Sequence, residues 1–397
     1  MNFLQLGLGA NNAFKSIYSR LRYLFISNFN IPTMASAKDL MLPHLRDCEA
    51  AAYGVKGTKP DIRLNLNEFQ YDLSPKVMEA MKEHIPLAKY YVYVGDEPTH
   101  ELQQKIADYV GVDYNEIALD EALDQAFNRL PRVFTKPGDN IVSMSPTYPE
   151  LLLGVKRCGG RIKRVHMHEP DLEMDADEVI EAIDRKTKFV FVCNPNNPTS
   201  TKTPRDDILK VVENAKDQIV VVDECYYEYC GETVADVINE YKNLYVARSF
   251  SKGFGLAGAR MAYLVSNKDA CDAYSRVMNG FEFNRFGVFA GIASMDDLPY
   301  YQALWKRIKQ EKGEIRKELE KLGIKVWDSC TSFLFMDVSG LGKTSTEVKD
   351  YFIKEYKILI RDVPATFTEL EKKYISFAMP KPAIKDKLVE GMKKLAE

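Results

Sequence analysis

Three unbroken apolar runs constrain this chain more than any other feature: Phe189-Val190-Phe191-Val192-Cys193, Ile219-Val220-Val221-Val222 and Leu244-Tyr245-Val246-Ala247. None alternates apolar with polar, so none can turn one face to water. Strands covered on both faces by helices, as in a parallel sheet, carry such runs. Each ends in a polar turn: Asn194-Pro195-Asn196-Asn197-Pro198-Thr199, Asp223-Glu224-Cys225-Tyr226 and Ser249-Phe250-Ser251-Lys252. Open α/β sheets bind their ligands at the carboxyl ends of such strands. The pattern therefore predicts an α/β fold with a ligand site built from these three turns.

The third turn carries the chemistry most directly. Lys252 sits in a loop at a strand end, Ser249 and Ser251 stand just before it, and Arg260 follows. One amine, two neutral donors and a fixed cation can converge on a phosphorylated ligand. Gly253, Gly255 and Gly258 also satisfy the dinucleotide-binding spacing, but Met261-Ala262-Tyr263-Leu264-Val265 resumes a strand pattern at once and leaves no helix to receive a pyrophosphate. Asp223, after four β-branched residues, is a costly buried charge unless a cation meets it. Plain structural readings stand beside these: a solvated Lys252, Asn197 as a turn residue, Asp223 as a helix cap, and Tyr226 and Tyr148 as core tyrosines.

The order of several segments resembles one enzyme family. Leu64-Asn65-Leu66-Asn67-Glu68, Pro146-Thr147-Tyr148, Asn196-Asn197-Pro198-Thr199, Asp223-Glu224-Cys225-Tyr226, Ser249-Phe250-Ser251-Lys252 and Phe283-Asn284 follow one another as in the histidinol-phosphate aminotransferase-like branch of the class I/II aminotransferases, enzymes of fold type I that use pyridoxal 5′-phosphate (PLP). The resemblance runs from about residue 64 to the C-terminus. It implies a large domain with a mostly parallel, seven-stranded sheet, a smaller C-terminal α+β domain, and a homodimer with its active sites at the interface. The corresponding divisions are an extension over 1–37, an arm over 38–70, a large domain over 71–285 and a small domain over 286–397.

It also implies roles. Lys252 holds the cofactor covalently and shuttles a proton, while Asp223 pairs with the ring nitrogen. Asn197 and Tyr226 bond the ring oxygen and Tyr148 stacks on the ring. Ser249, Ser251, Arg260 and Asp124 serve the phosphate. Arg361 takes the substrate's anionic group, and one of Tyr90, Tyr91 and Tyr93 reaches the partner's cofactor. The reaction implied is transfer of an amino group from a small amino donor with an anionic end to a keto or aldehyde acceptor. A decarboxylase or lyase of the same fold, and a catalytically degenerate paralogue, are the alternatives.

Three places depart from the family pattern. Phe69 and Gln70 replace the usual Asn-Pro after the opening segment. Where the family has a Gly-rich turn over the phosphate, this chain has Asp120-Glu121-Ala122-Leu123-Asp124-Gln125, and the carboxylates of Asp120 and Glu121 are expected to repel that phosphate. Tyr374 stands where the family keeps a second substrate-binding arginine, and a phenol cannot replace a planar cationic fork. Arg285 is one candidate for the missing cation.

Composition closes off other classes. Across 397 residues the formal net charge is −3, which leaves no basic footprint for nucleic acid, and no apolar run is long enough to span a bilayer. The seven cysteines are scattered and lack paired ligand spacing, so they read as reduced thiols in a cytoplasmic or organellar compartment. No metal-ligand cluster stands out, and His100, His166 and His168 read as surface or turn residues. Residues 1–37 contain no Asp or Glu but include Lys15, Arg20 and Arg22 among apolar residues, the profile of a mitochondrial or other organelle transit peptide; an over-extended start before Met34 is the alternative.

Overall fold

The computed structural model describes residues 35–46, 48 and 60–397. The chain forms two compact units, Met1–Glu49 and Ala50–Glu397. In the first, the described residues hold one turn of helix, Pro43–Arg46. The transit-peptide reading falls, but for residues 35–37, outside the described residues.

The second unit opens with a short strand, β1 (Ile62–Arg63), and then builds its main sheet from β2 (Ile117–Asp120), β3 (Asn140–Ser145), β4 (Arg161–His166), β5 (Thr187–Cys193), β6 (Ile219–Asp223), β7 (Leu244–Ser249) and β8 (Ala262–Val265). Their order is β2-β8-β7-β6-β5-β3-β4. The three apolar runs are adjacent parallel strands at its centre, with Val192 beside Val222 and Val222 beside Val246. Their faces alternate as a pleat requires. Phe189, Phe191, Val221 and Tyr245 pack with Phe127 and Leu130 of the helix Leu123–Phe134 on one side. Val190, Val192, Val222 and Val246 pack with Ile208 and Val211 of the helix Arg205–Asn214 on the other. Each such side chain contributes about 1.5–3 kcal/mol when fully buried. The register sets Cys193 beside Asp223 and Asp223 beside Ala247, so the three polar turns leave the sheet at one level.

The Gly-rich segment after Lys252 leads into β8, which lies antiparallel to β7, and opens no helix. That geometry excludes a dinucleotide turn there.

The C-terminal part contains the 23-residue helix Leu298–Glu320, which buries Tyr301, Trp305, Ile308, Ile315 and Leu319 along one stripe. A second sheet has the order β12-β13-β10-β9, formed by β9 (Lys325–Val326), β10 (Phe333–Asp337), β12 (Arg361–Asp362) and β13 (Tyr374–Ala378). Between β10 and β12, β11 (Ile358–Leu359) pairs parallel with β1 instead. The chain passes from one sheet to the other at Ile360, so β11 and β12 are separate strands. The segment 345–356 is helical throughout but changes character along its length. Its α-helical part is Ser345–Tyr351, a π-helical turn Phe352–Tyr356 follows, and Lys357 ends it at φ +56°.

Candidate active site

The carboxyl ends of β5, β6 and β7 open onto a cavity of about 360 Å³. Lys252, Asp223, Tyr226, Asn197, Tyr148, Ser249, Ser251, Asp124, Arg260 and Arg361 all line it, so ten of the eleven residues singled out from the sequence converge there. Leu66, Asn67 and Glu68 complete the lining.

Lys252 Nζ donates to the Leu66 carbonyl at 2.8 Å. Desolvation is the main influence on this amine and lowers its pKa, which favours the neutral, nucleophilic form. The loop itself is held from two sides: Tyr229 Oη donates to the Lys252 carbonyl at 2.9 Å, and Trp305 Nε1 to the Gly253 carbonyl at 2.7 Å.

At the floor, Asp223 ends β6 and is 3% exposed. One carboxylate oxygen accepts the Cys225 N–H at 3.0 Å and the other faces the Cys193 thiol at 3.8 Å. Among the described residues no cation pairs with it, and burial pushes its carboxyl up to about 7. A protonated ring nitrogen is the partner such a group lacks. Tyr226 is fixed by Asn67, whose Nδ2 donates to the phenol oxygen at 3.0 Å. Arg361 Nη1 donates to Asn197 Oδ1 at 3.3 Å, and its guanidinium lies 5.2 Å from the Phe367 ring centre.

At the opposite end, the helix Leu123–Phe134 starts from Ala122 without a side-chain cap. Its first N–H groups are therefore donors for an anion. Ser249 and Ser251 stand beside it in the lining; Ser249 Oγ accepts the Ser251 N–H at 3.1 Å. Arg260 pairs with Asp124 at 3.1 Å, and Tyr148 Oη donates to the second Asp124 oxygen at 2.8 Å. The uncapped helix, hydroxyls and guanidinium suit a phosphate, the buried carboxylate suits a pyridinium, and the desolvated amine suits an aldehyde carbon. The residues present fit pyridoxal 5′-phosphate.

Three expectations need correction. Asp120 does not face the phosphate end: it is wholly buried, 2.8 Å from Arg129 Nη1, and accepts the Tyr274 hydroxyl. Glu121 pairs with the same arginine at 3.4 Å. Asp120 is absent from the cavity lining, and Arg129, on the helix Leu123–Phe134, draws both carboxylates to itself. Tyr374 does not line the cavity. It begins β13, stacks on Phe335 at 5.1 Å and donates its hydroxyl to Glu169. Arg285 does not supply a second cation there either, since it donates to the Tyr91 carbonyl at 3.1 Å and lies outside the lining. Tyr90, Tyr91 and Tyr93 are exposed, with Tyr91 and Tyr93 against the exposed ring of Phe281.

Sequence reasoning missed the clamps. Asn67 lies within the opening segment Leu64–Glu68, but its bond to Tyr226 spans 159 positions; in the sequence Trp305 is legible only as one apolar residue of a helical stripe.

Comparison with known proteins agrees with this geometry. Residues 59–382 match the family aminotransferase class I and II. Curated relatives include the histidinol-phosphate aminotransferase of Methanosarcina mazei, 29% identical over 86% of this chain and 90% of that protein, and that of Methanosarcina barkeri, 34% identical over 74% and 78%. The crystal structure of histidinol-phosphate aminotransferase from Sinorhizobium meliloti, in complex with pyridoxal 5′-phosphate, aligns with a TM-score of 0.81 at 24% identity, covering 91% of this chain and 98% of that one. L-threonine-O-3-phosphate decarboxylase from Porphyromonas gingivalis aligns with a TM-score of 0.73 at 22% identity, covering 84% and 98%. These two structural likenesses establish the fold, which amino transfer and decarboxylation share. The family match spans most of the sequence, and by it the chain belongs to the class I and II aminotransferases, enzymes that move amino groups with pyridoxal 5′-phosphate.

Proposed function

We propose that this aminotransferase takes its amino group from a small donor with one anionic end, a phosphorylated amino alcohol of the histidinol-phosphate kind, held by Arg361. The observation that carries this reading is the lining itself: among the described residues its cations are Lys252, Arg260 and Arg361, and only Arg361 stands outside the places suited to the cofactor's aldehyde and phosphate. The names of the relatives point to the same donor class.

Lys252 would hold the cofactor through Nζ, and its amine would carry the proton taken from the substrate carbon. The bound cofactor supplies an electron sink for that bond. Asp223 would keep the ring nitrogen protonated, and Asn197 and Tyr226 would hold the ring oxygen. Tyr148 would stack on the ring. Ser249, Ser251, Arg260 and the N–H groups beginning at Asp124 hold the phosphate. The exposed aromatics Tyr90, Tyr91, Tyr93 and Phe281 support a homodimer in which one tyrosine reaches the partner's site. Domain divisions near 70 and 285 belong to the same reading. The seven free cysteines support a reducing compartment.

The test is a panel of histidinol phosphate, common amino acids and simple amines, assayed for keto or aldehyde product and for carbon dioxide. Histidinol phosphate is expected to give a keto product while the amino acids of the panel release no carbon dioxide, and Arg361→Lys is expected to raise the KM for histidinol phosphate by about tenfold or more, because the planar fork is lost. Carbon dioxide release would move the assignment to a decarboxylase. Equal turnover of donors lacking any anionic end would remove Arg361 from its role.

A further inference from the structure

The segment that follows β1 departs from the family pattern at Phe69 and Gln70, and both residues act on the one before them, Glu68. Gln70 Nε2 donates to the Arg63 carbonyl at 3.2 Å and to the Glu68 carbonyl at 3.0 Å, which ties the two ends of the segment together. Phe69 lies against the loop after Lys252: a Cβ on Gly255 would stand 2.7 Å from its ring. On the other side of Glu68, Asn67 takes the left-handed conformation at φ +53° and donates to Tyr226, while the Leu66 carbonyl accepts from Lys252 Nζ. The backbone on either side of Glu68 is thus fixed against the active site.

Glu68 lines two spaces. One is the active-site cavity; the other is an outer groove of about 520 Å³ that Arg63, Gln70, Gly258 and Lys381 also line. Ala257 and Gly258 are shared in the same way, so Glu68 stands where cavity and groove meet. Its Oε1 accepts from Arg63 Nη2 at 3.1 Å, and among the described residues its Oε2 has no hydrogen bond. The Arg63 side chain is 61% exposed, and a pair this open holds a carboxylate only weakly. Among the described residues the acids of the cavity are Glu68, Asp124 and Asp223. Asp223 lies at the floor and Asp124 pairs with Arg260, at the places suited to the ring nitrogen and the phosphate. Glu68 is left for the substrate, as Arg361 is among the cations.

We propose that Glu68 is a specificity-determining residue that accepts a hydrogen bond from an N–H at the far end of the amino donor. The site then takes donors with an anionic end at Arg361 and a hydrogen-bond-donating or cationic tail, such as an imidazole, at Glu68. This rests on the donor class proposed above and adds its second end. An N–H tail gains a charge-assisted bond to the carboxylate, whereas a hydrocarbon tail in the same place takes water from that charge and returns nothing, so the preference is built from both effects.

The test gives the PLP-loaded protein two amino donors: histidinol phosphate, and phenylalaninol phosphate, which shares the amine and the anionic end but has no N–H in its tail. The unaltered protein is expected to favour histidinol phosphate in kcat/KM, and Glu68→Gln to cut that preference by about five- to tenfold, mostly through KM. Arg63→Gln removes the partner of Glu68 but keeps the carboxylate, and is expected to keep the preference. The assignment is overturned, with the donor class still standing, if the unaltered protein shows no preference, if Arg63→Gln abolishes it as fully as Glu68→Gln, or if Glu68→Gln changes both donors by the same factor, as a mere counter-charge to Lys252 would. Failure of both donors to react, or an Arg361→Lys variant that weakens neither, sinks the donor class and this assignment with it.

Discussion

Arg260 Nη2 stands 3.1 Å from Asp124 Oδ2, so the guanidinium proposed to hold the cofactor's phosphate is already met by a carboxylate. Both side chains are nearly half exposed, and a pair of this kind is worth about 1 kcal/mol at most. A phosphate arriving at Arg260 also meets the Asp124 charge. Asp124→Asn keeps an acceptor for Tyr148 while removing that charge, and is expected to tighten PLP binding by up to about fivefold. A cofactor titration at low ionic strength checks it; weaker binding would show that the carboxylate's hold on Arg260 and Tyr148 outweighs the repulsion.

Asp120 leads to the opposite expectation from its position in the sequence. Its carboxylate joins Arg129, Tyr274 and, through Arg129, Glu282 in a buried cluster beneath the helix Leu123–Phe134. Asp120→Ala leaves the guanidinium and the phenol short of a partner and is expected to cost about 3 kcal/mol. Urea unfolding of the cofactor-free protein measures this. Cofactor affinity is not expected to rise, and a gain in affinity with unchanged stability would return Asp120 to the phosphate end.

The contrast between Asp120 and Asp223 marks what sequence makes legible. Asp223 ends an unbroken apolar run, so its strand, its burial and its need for a cation were all readable from neighbours in the chain. Asp120 ends a four-residue strand whose partner, β8, lies far along the sequence, and its fate depends on Arg129, Tyr274 and Glu282, which no local pattern joins. The edge strand β4, Arg161–His166, escaped for a related reason: half exposed and carrying three basic residues among its six, it lacks the apolar signal of the central strands. The residues proposed to hold the cofactor sit at strand ends and in short motifs, which local sequence makes readable. The clamps behind them, Asn67 on Tyr226 and Trp305 on Gly253, join distant segments and leave no local trace.

Asp223 also sets a pH dependence. Desolvation pushes its folded-state carboxyl up to about 7 from an ordinary value of 3.8. Between those values the cofactor-free folded chain holds a proton that the unfolded chain has released, so stability from this group is present below pH 4 and is lost as pH rises to about 7. Glu228, pushed up to about 7 by burial, acts in the same direction. Asp223→Asn is expected to make the cofactor-free protein more stable at pH 8 by a few kcal/mol, with the advantage vanishing near pH 4, while lowering kcat by orders of magnitude. Urea unfolding from pH 4 to 8 checks the first part. Identical slopes for the two proteins would show that a cation already neutralises Asp223.

Trp305 tests whether the Lys252 loop is held for function as well as for stability. Its indole N–H donates to the Gly253 carbonyl at 2.7 Å from the long helix Leu298–Glu320, while Tyr229 holds the neighbouring Lys252 carbonyl from the other side. The loop has little room to settle elsewhere: a Cβ on Gly253 would stand 2.6 Å from Glu228 Oε2, so that carboxylate already fills the space against it. Trp305→Phe removes the donor and part of the ring, and is expected to cost about 1–3 kcal/mol in stability. A positioning residue should also lower kcat several-fold with little change in KM, and hasten cofactor release, because Lys252 Nζ is displaced from its working geometry. Tyr301→Phe serves as the comparison. Tyr301 is buried on the same helix, its hydroxyl meets Ser294 at 3.4 Å, and it makes no hydrogen bond to the Lys252–Gly253 backbone. It should destabilise the protein without altering kcat. Equal losses of kcat in the two variants would reduce Trp305 to a packing role.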